Sequence, residues 1–164
     1  MNFDFSDAEK ARVQGRMANR GPGEDLAQAA AALVIMQQVF EAATVHAKTR
    51  GADGHKPIGR QEIGFRLAEM LTLLQTAELL AYRAAWMEET GHGEAAVVGA
   101  CAKVFCTENA AEVASLALDV LGPDAEAYGA VEDAWRLAKR LQVTGTPCVQ
   151  ALSDIGDGVI RKET

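Results

Sequence analysis

The sequence predicts an all-α domain: a four-helix up-down bundle with a short extra helix at each end. Three observations predict it. Hydrophobic residues make up 49% of the 164 residues and aromatics only 5%, so the apolar content is mainly Ala, Leu and Val. Small side chains let helices approach closely, whereas sheets favour β-branched and aromatic residues. Long stretches keep apolar residues three and four apart, the spacing of a helix face. The breaks between them carry Gly, Pro and Asp, and no β-hairpin signal, internal repeat or low-complexity tract interrupts the pattern.

Ser6-Asp7-Ala8-Glu9 reads as a capping box that opens a short helix running to about Met17. Asn19 to Gly23 then breaks the chain. Residues 1–23 are therefore read as a short N-terminal helix and linker, and 24–164 as the bundle. The second helix spans about Glu24 to Arg50, with Leu26, Ala30, Leu33, Phe40 and Ala47 in register. A polar loop from Gly51 to Gly59 follows.

The third helix spans about Arg60 to Thr90 and has two apolar stripes. One is Ile63, Leu67, Met70, Leu74, Ala77 and Ala81. The other is Leu73, Leu80, Ala84 and Met87, which predicts contact with a second subunit. Gly91-His92-Gly93 ends this helix, and a fourth runs from about Glu94 to Leu121. Gly122-Pro123-Asp124 is expected to stop it. A shorter helix covers about Val131 to Leu141, and Gly145-Thr146-Pro147 starts a last one, whose tail from Gly156 is expected to fray.

The net charge of −7 argues against nucleic acid and against an anionic membrane surface, both of which call for clustered cations. The longest apolar runs, such as Ala29 to Met36, are short of the about 20 residues that span a bilayer. The acidic start, Met1 to Asp7, has no signal-peptide core. Cys101, Cys106 and Cys148 form no disulfide framework and suit a reducing cytoplasm.

Motifs for chemistry are scarce. His46, His55 and His92 fall in different segments without ligand spacing, so they read as surface histidines and no metal site is expected. Cys101 and Cys106 are five apart and read as buried structural thiols. There is no serine elbow and no phosphate-binding glycine loop; Gly21-Pro22-Gly23 and Gly91-His92-Gly93 read as linkers.

One region is more specific. Gln61, Ile63, Leu67, Ala68 and Met70 lead into Tyr82-Arg83-Ala84-Ala85-Trp86. Ala102-Lys103-Val104-Phe105 follows, and then Arg136, Ala138, Lys139 and Gln142. This string resembles the C-terminal helical domain of the flavin-dependent acyl-CoA dehydrogenases, over about residues 24 to 150. The start, Phe3-Asp4-Phe5-Ser6, is also similar to the opening of these enzymes.

The resemblance implies FAD, oligomers and particular site residues. Arg50 matches the family's arginine on a flavin pyrophosphate, although Thr49 and Asp53 replace the Glu and Phe of that motif. Gln142 and Thr146 match residues of the family's flavin-side loop. Asp119 to Pro123 stands where the family has Q-x-x-G-G, without its Gln or second Gly. The family's usual catalytic Glu has no counterpart in Val143-Thr144-Gly145-Thr146. Glu24 falls where some members carry the base instead, but it also suits a helix start on electrostatic grounds.

The family's N-terminal helical domain and β-domain have no counterpart in this sequence. The expectation is therefore a cytoplasmic protein, non-catalytic alone and without flavin of its own. It would act as an oligomerising or regulatory subunit, either as a homodimer or homotetramer or paired with an acyl-CoA dehydrogenase-type chain. Two alternatives stay open. One is the small subunit of a split FAD-dependent acyl-CoA dehydrogenase whose partner supplies the flavin-binding β-domain. The other is a stand-alone bundle that binds an apolar ligand between its helices.

Overall fold

The computed structural model describes residues 25–49 and 56–162. The expected helix from Ser6 to Met17 and the loop residues 50–55 lie outside them. Among the described residues five α-helices follow one another: α1 (Asp25–Lys48), α2 (Gln61–Glu89), α3 (Ala95–Leu121), α4 (Gly129–Leu141) and α5 (Cys148–Lys162). Short 3-10 turns cover Pro57–Gly59 and Gly122–Tyr128. No strand occurs among the described residues. The first four helices make the bundle, and α5 is the extra helix at the C-terminal end.

Helix α3 is the centre of the bundle. It packs against α1, α2, α4 and α5. Fifteen of its 27 residues are buried, and the exposed charged ones, Glu108, Glu112 and Asp119, share a single face. A helix covered on most of its circumference needs a wide apolar surface, and the sequence supplies Ala, Val, Cys and Leu over most of the helix outside that face. Many contacts are made by alanine: Ala102, Ala110, Ala114 and Ala117 of α3 face Ala29, Ala32, Ala77 and Ala81 in one core, all with zero exposure. Such small residues draw the helix axes close together. Met36, Met70 and Leu121 fill the remaining volume as the large, fully buried side chains.

Helix α1 is long and apolar enough, by length and composition, to cross a membrane, with a mean hydropathy of 1.3 in its most apolar window. Its apolar residues are spent elsewhere. Leu26, Ile35, Met36 and Val39 are buried among α2, α3 and α4.

Helix α2 ends as its sequence dictates. Gly91 has φ +65°, a conformation that costs glycine nothing. The amide of His92 then donates to the Met87 carbonyl and that of Gly91 to the Glu88 carbonyl, which is a Schellman closure. Arg66 of α2 bridges to α3, donating to Asp119 at 2.6 Å and to Glu62 at 3.1 Å.

Four expectations need correction. The stripe Leu73, Leu80, Ala84 and Met87 is not a free surface: Ala84 and Met87 are buried, and Leu73 and Leu80 pack against the core. The exposed apolar residues of α2 are instead Phe65, Leu71, Leu79 and Trp86. Gly122-Pro123-Asp124 ends α3 but does not break the helical path, because the 3-10 turn continues to Tyr128 and α4 begins at Gly129. The tail past Gly156 stays helical to Lys162, since Ala151, Ile155 and Gly158 hold α5 on α3. A Cβ at Gly158 would fall 2.6 Å from Val97 Cγ2, so glycine permits this approach. Finally, His46 is buried rather than on the surface; it meets Tyr128 edge-on at 5.6 Å and lies 3.9 Å from Asp124.

Candidate functional site

The site that the structure assembles lies where the first turn of α1, the middle of α3 and the α4–α5 loop converge. The loop, residues 142–148, is locally determined. Thr144 caps α4, its hydroxyl and its amide both donating to the Arg140 carbonyl. Gly145 turns the chain at φ +64°. The Cys148 amide then donates to the Gln142 carbonyl at 2.9 Å and closes the loop on itself.

Helix α3 holds both ends of this loop. Gln142 Nε2 donates to the Thr107 carbonyl at 3.3 Å. Thr107 Oγ1 donates to the Lys103 carbonyl at 2.9 Å and lies 3.3 Å from Cys148 Sγ. Lys103 Nζ donates to the Thr144 carbonyl at 3.2 Å and sits 3.9 Å from Asp25 Oδ1. Lys103 has zero exposure, unusual for a lysine. Burial holds its ammonium below the usual lysine value, while Asp25 and Cys148 pull it back up.

Asp25 comes from the first turn of α1. Burial pushes its carboxyl above the usual carboxylate value; Lys103 and a hydrogen bond from Thr146 oppose the rise, and Asp154 of α5 adds to it. Its Oδ1 is buried and lacks a hydrogen bond. One turn on, Gln28 is 4% exposed, and neither atom of its amide is hydrogen-bonded.

The residues expected from the sequence are placed as follows. Glu24 and Arg50 lie outside the described residues. Gln142 and Thr146 lie in the α4–α5 loop: Gln142 donates to the Thr107 carbonyl, one turn along α3 from Lys103, and Thr146 lies close enough to Asp25 to lower its carboxyl pKa. Asp119, at the position of the family's glutamine, is taken by Arg66. Among the described residues, the side chains of Gln142 and Asp119 thus make their hydrogen bonds within the chain. The cysteines are free; Cys106 and Cys148 are buried and Cys101 half-buried. Burial pushes the Cys106 thiol up to about 12.

Sequence reasoning missed Asp25, Gln28 and Thr107, and read Lys103 only as part of a motif. A signal for Lys103 was present: it is a lone cation in the apolar run Ala100-Cys101-Ala102-Lys103-Val104-Phe105-Cys106.

Both fold and sequence define the class. The pattern described as "Acyl-CoA dehydrogenase, C-terminal domain" matches residues 23–151, and the chain belongs to this family. A 3-(aryl)acrylate reductase of Clostridium sporogenes is 37% identical over 106 residues, which cover 64% of this chain and 26% of the reductase. The butyryl-CoA dehydrogenase of Megasphaera elsdenii superposes with a TM-score of 0.76 at 25% identity, covering 93% of this chain and 38% of that enzyme. A structure titled "PigA with FAD and proline" shares the fold, with a TM-score of 0.76 at 19% identity over 82% of this chain and 35% of that one. The chain thus spans about a quarter to two-fifths of the length of these relatives.

Proposed function

We propose that this chain is an oligomerising or regulatory helical subunit of the acyl-CoA dehydrogenase family that carries no catalytic base of its own. One observation carries the reading. The α4–α5 loop has no acid between Val143 and Thr146, and the carboxylate that the fold does bring to it, Asp25, is partly buried and faces the Lys103 ammonium at 3.9 Å. A general base must have a lone pair within hydrogen-bond reach of a substrate proton. Asp25 is instead half inside the bundle beside a buried cation.

The exposed residues of α2 support the assembly role. Phe65, Leu79 and Trp86 are 66%, 51% and 52% exposed. At about 100° per residue they fall within one third of the helix circumference. An apolar stripe of this kind suits a cytoplasmic partner, either a second copy or a longer chain of the same family.

The test is a titration of the purified chain with FAD, followed by absorbance. The expected result is free-flavin behaviour throughout. Stoichiometric binding by the chain alone would overturn the reading.

The second reading is the small subunit of a split FAD-dependent acyl-CoA dehydrogenase, favoured by Gln142 and Thr146, which stand where the resemblance places cofactor-binding residues. It requires a partner to supply the β-domain. Co-expression with such a partner separates the two: the split enzyme would yield a flavin-loaded complex whose FAD content falls in Arg50→Ala, because an arginine fork binds pyrophosphate oxygens strongly. In a regulatory subunit the FAD content is unchanged by that substitution.

A further inference from the structure

We propose that Lys103 is a buried latch that pins the 142–148 loop to the first turn of α1, and that opening the latch uncovers Cys148.

The connectivity is the basis. Lys103 reaches out of the central helix to two segments that are distant in sequence. It donates to the Thr144 carbonyl in the loop and faces the Asp25 carboxylate on α1. One ammonium thus ties three segments together: α3, the loop and the first turn of α1. One turn along α3, Thr107 repeats the pattern for the far end of the loop, through Gln142 and Cys148.

The second argument is that this cluster is poised, not saturated. A cation with zero exposure is held only by good local partners. Its ion-pair distance of 3.9 Å is beyond hydrogen-bond length. The buried Asp25 Oδ1 and both amide atoms of the adjacent Gln28 also lack hydrogen bonds. Buried polar groups in that state favour any opening that lets water reach them. Away from this cluster the core is alanine, methionine and leucine at or near zero exposure, and among the described residues the one other buried side-chain polar atom without a hydrogen bond is Thr44 Oγ1, toward the far end of α1. Opening is therefore local, and the loop is the part that moves. Cys148 reports on it, being 8% exposed and held at the loop's end by Thr107. Cys106, at zero exposure in the bundle core, supplies the internal control.

The experiment uses the full chain. Wild type and Lys103→Met are exposed to iodoacetamide at one pH, labelling at each cysteine is resolved by peptide mass spectrometry, and amide exchange is followed in parallel. The expected result is at least tenfold faster labelling of Cys148 and faster exchange in 142–148. Cys106 and the amides of α2 should keep their wild-type rates. Unchanged Cys148 labelling would overturn the latch. So would a parallel rise at Cys106, since that is loosening of the whole bundle. Should Lys103→Met not fold, Asp25→Asn and Thr146→Val decide the matter: each is expected to speed Cys148 labelling several-fold with Cys106 unchanged, and wild-type rates at Cys148 in both would refute the proposal.

Discussion

Replacing Leu79 by Glu tests the assembly surface with little risk to the fold. Leu79 is 51% exposed on α2, so the monomer tolerates a polar residue there. Surface substitutions generally shift stability by less than about 0.5 kcal/mol. In an oligomer the exposed half of the side chain is what the partner covers. Fully burying a leucine contributes about 1.5–3 kcal/mol, so half contributes roughly 0.75–1.5 kcal/mol. A two-fold interface uses the same residue twice, giving about 1.5–3 kcal/mol, or roughly tenfold to 150-fold in Kd. The buried carboxylate adds to this penalty. Sedimentation equilibrium over a micromolar concentration series measures the change, with thermal unfolding as the control. The expected outcome is an oligomeric wild type and a monomeric or weakened variant. A monomeric wild type, or a variant that associates as well as wild type, would refute the reasoning.

Further outcomes follow from the core and the site. Met36 has zero exposure, and Met36→Ala is expected to cost about 2–5 kcal/mol in urea unfolding, the range for such truncations. Gly145 sits at φ +64°. Placing a Cβ there in Gly145→Ala is expected to destabilise by about 1 kcal/mol or more, read as a lowered Tm. Asp25 has a carboxyl raised above 3.8 on folding, so its favourable contribution is fully present below that value and is lost as pH rises through the folded value. Wild type should therefore lose stability relative to Asp25→Asn on raising the pH, measured as the difference between their urea midpoints. The groups that set this balance are Lys103, Thr146 and Asp154 around Asp25, and Cys148 beside Lys103. The double variant Asp25→Asn with Lys103→Met is expected to show a higher urea midpoint at neutral pH than Lys103→Met alone, because it leaves no unpaired buried charge.

Helix boundaries were legible to within about two residues in most places because the punctuation is chemical. Gly91 ends α2 through its positive φ, and Pro147 stands immediately before Cys148 of α5. The all-α class followed from alanine-rich periodicity, and the family from one collinear motif string. Three features were not legible. Asp25 and Lys103 meet across the bundle, and no local spacing encodes a contact between residues of different helices. The exposed apolar stripe of α2 was misassigned because a helix with two apolar faces does not say which face its own bundle covers. The last helix was cut short because chain ends generally fray. Gly158 is the close-contact point with Val97 that lets α5 lie on α3. The departures from the family pattern, such as Asp119 for glutamine, gained meaning once Arg66 was seen to hold that carboxylate.

The most direct test of the account is turnover by the chain itself. The purified protein is mixed with FAD, an artificial electron acceptor and a panel of short, medium and aryl acyl-CoA thioesters, and dye reduction is followed. The account expects no reduction above the protein-free background with any of them. Reduction that depends on the protein and disappears in Asp25→Asn would contradict it, because the carboxylate facing Lys103 would then be a working base.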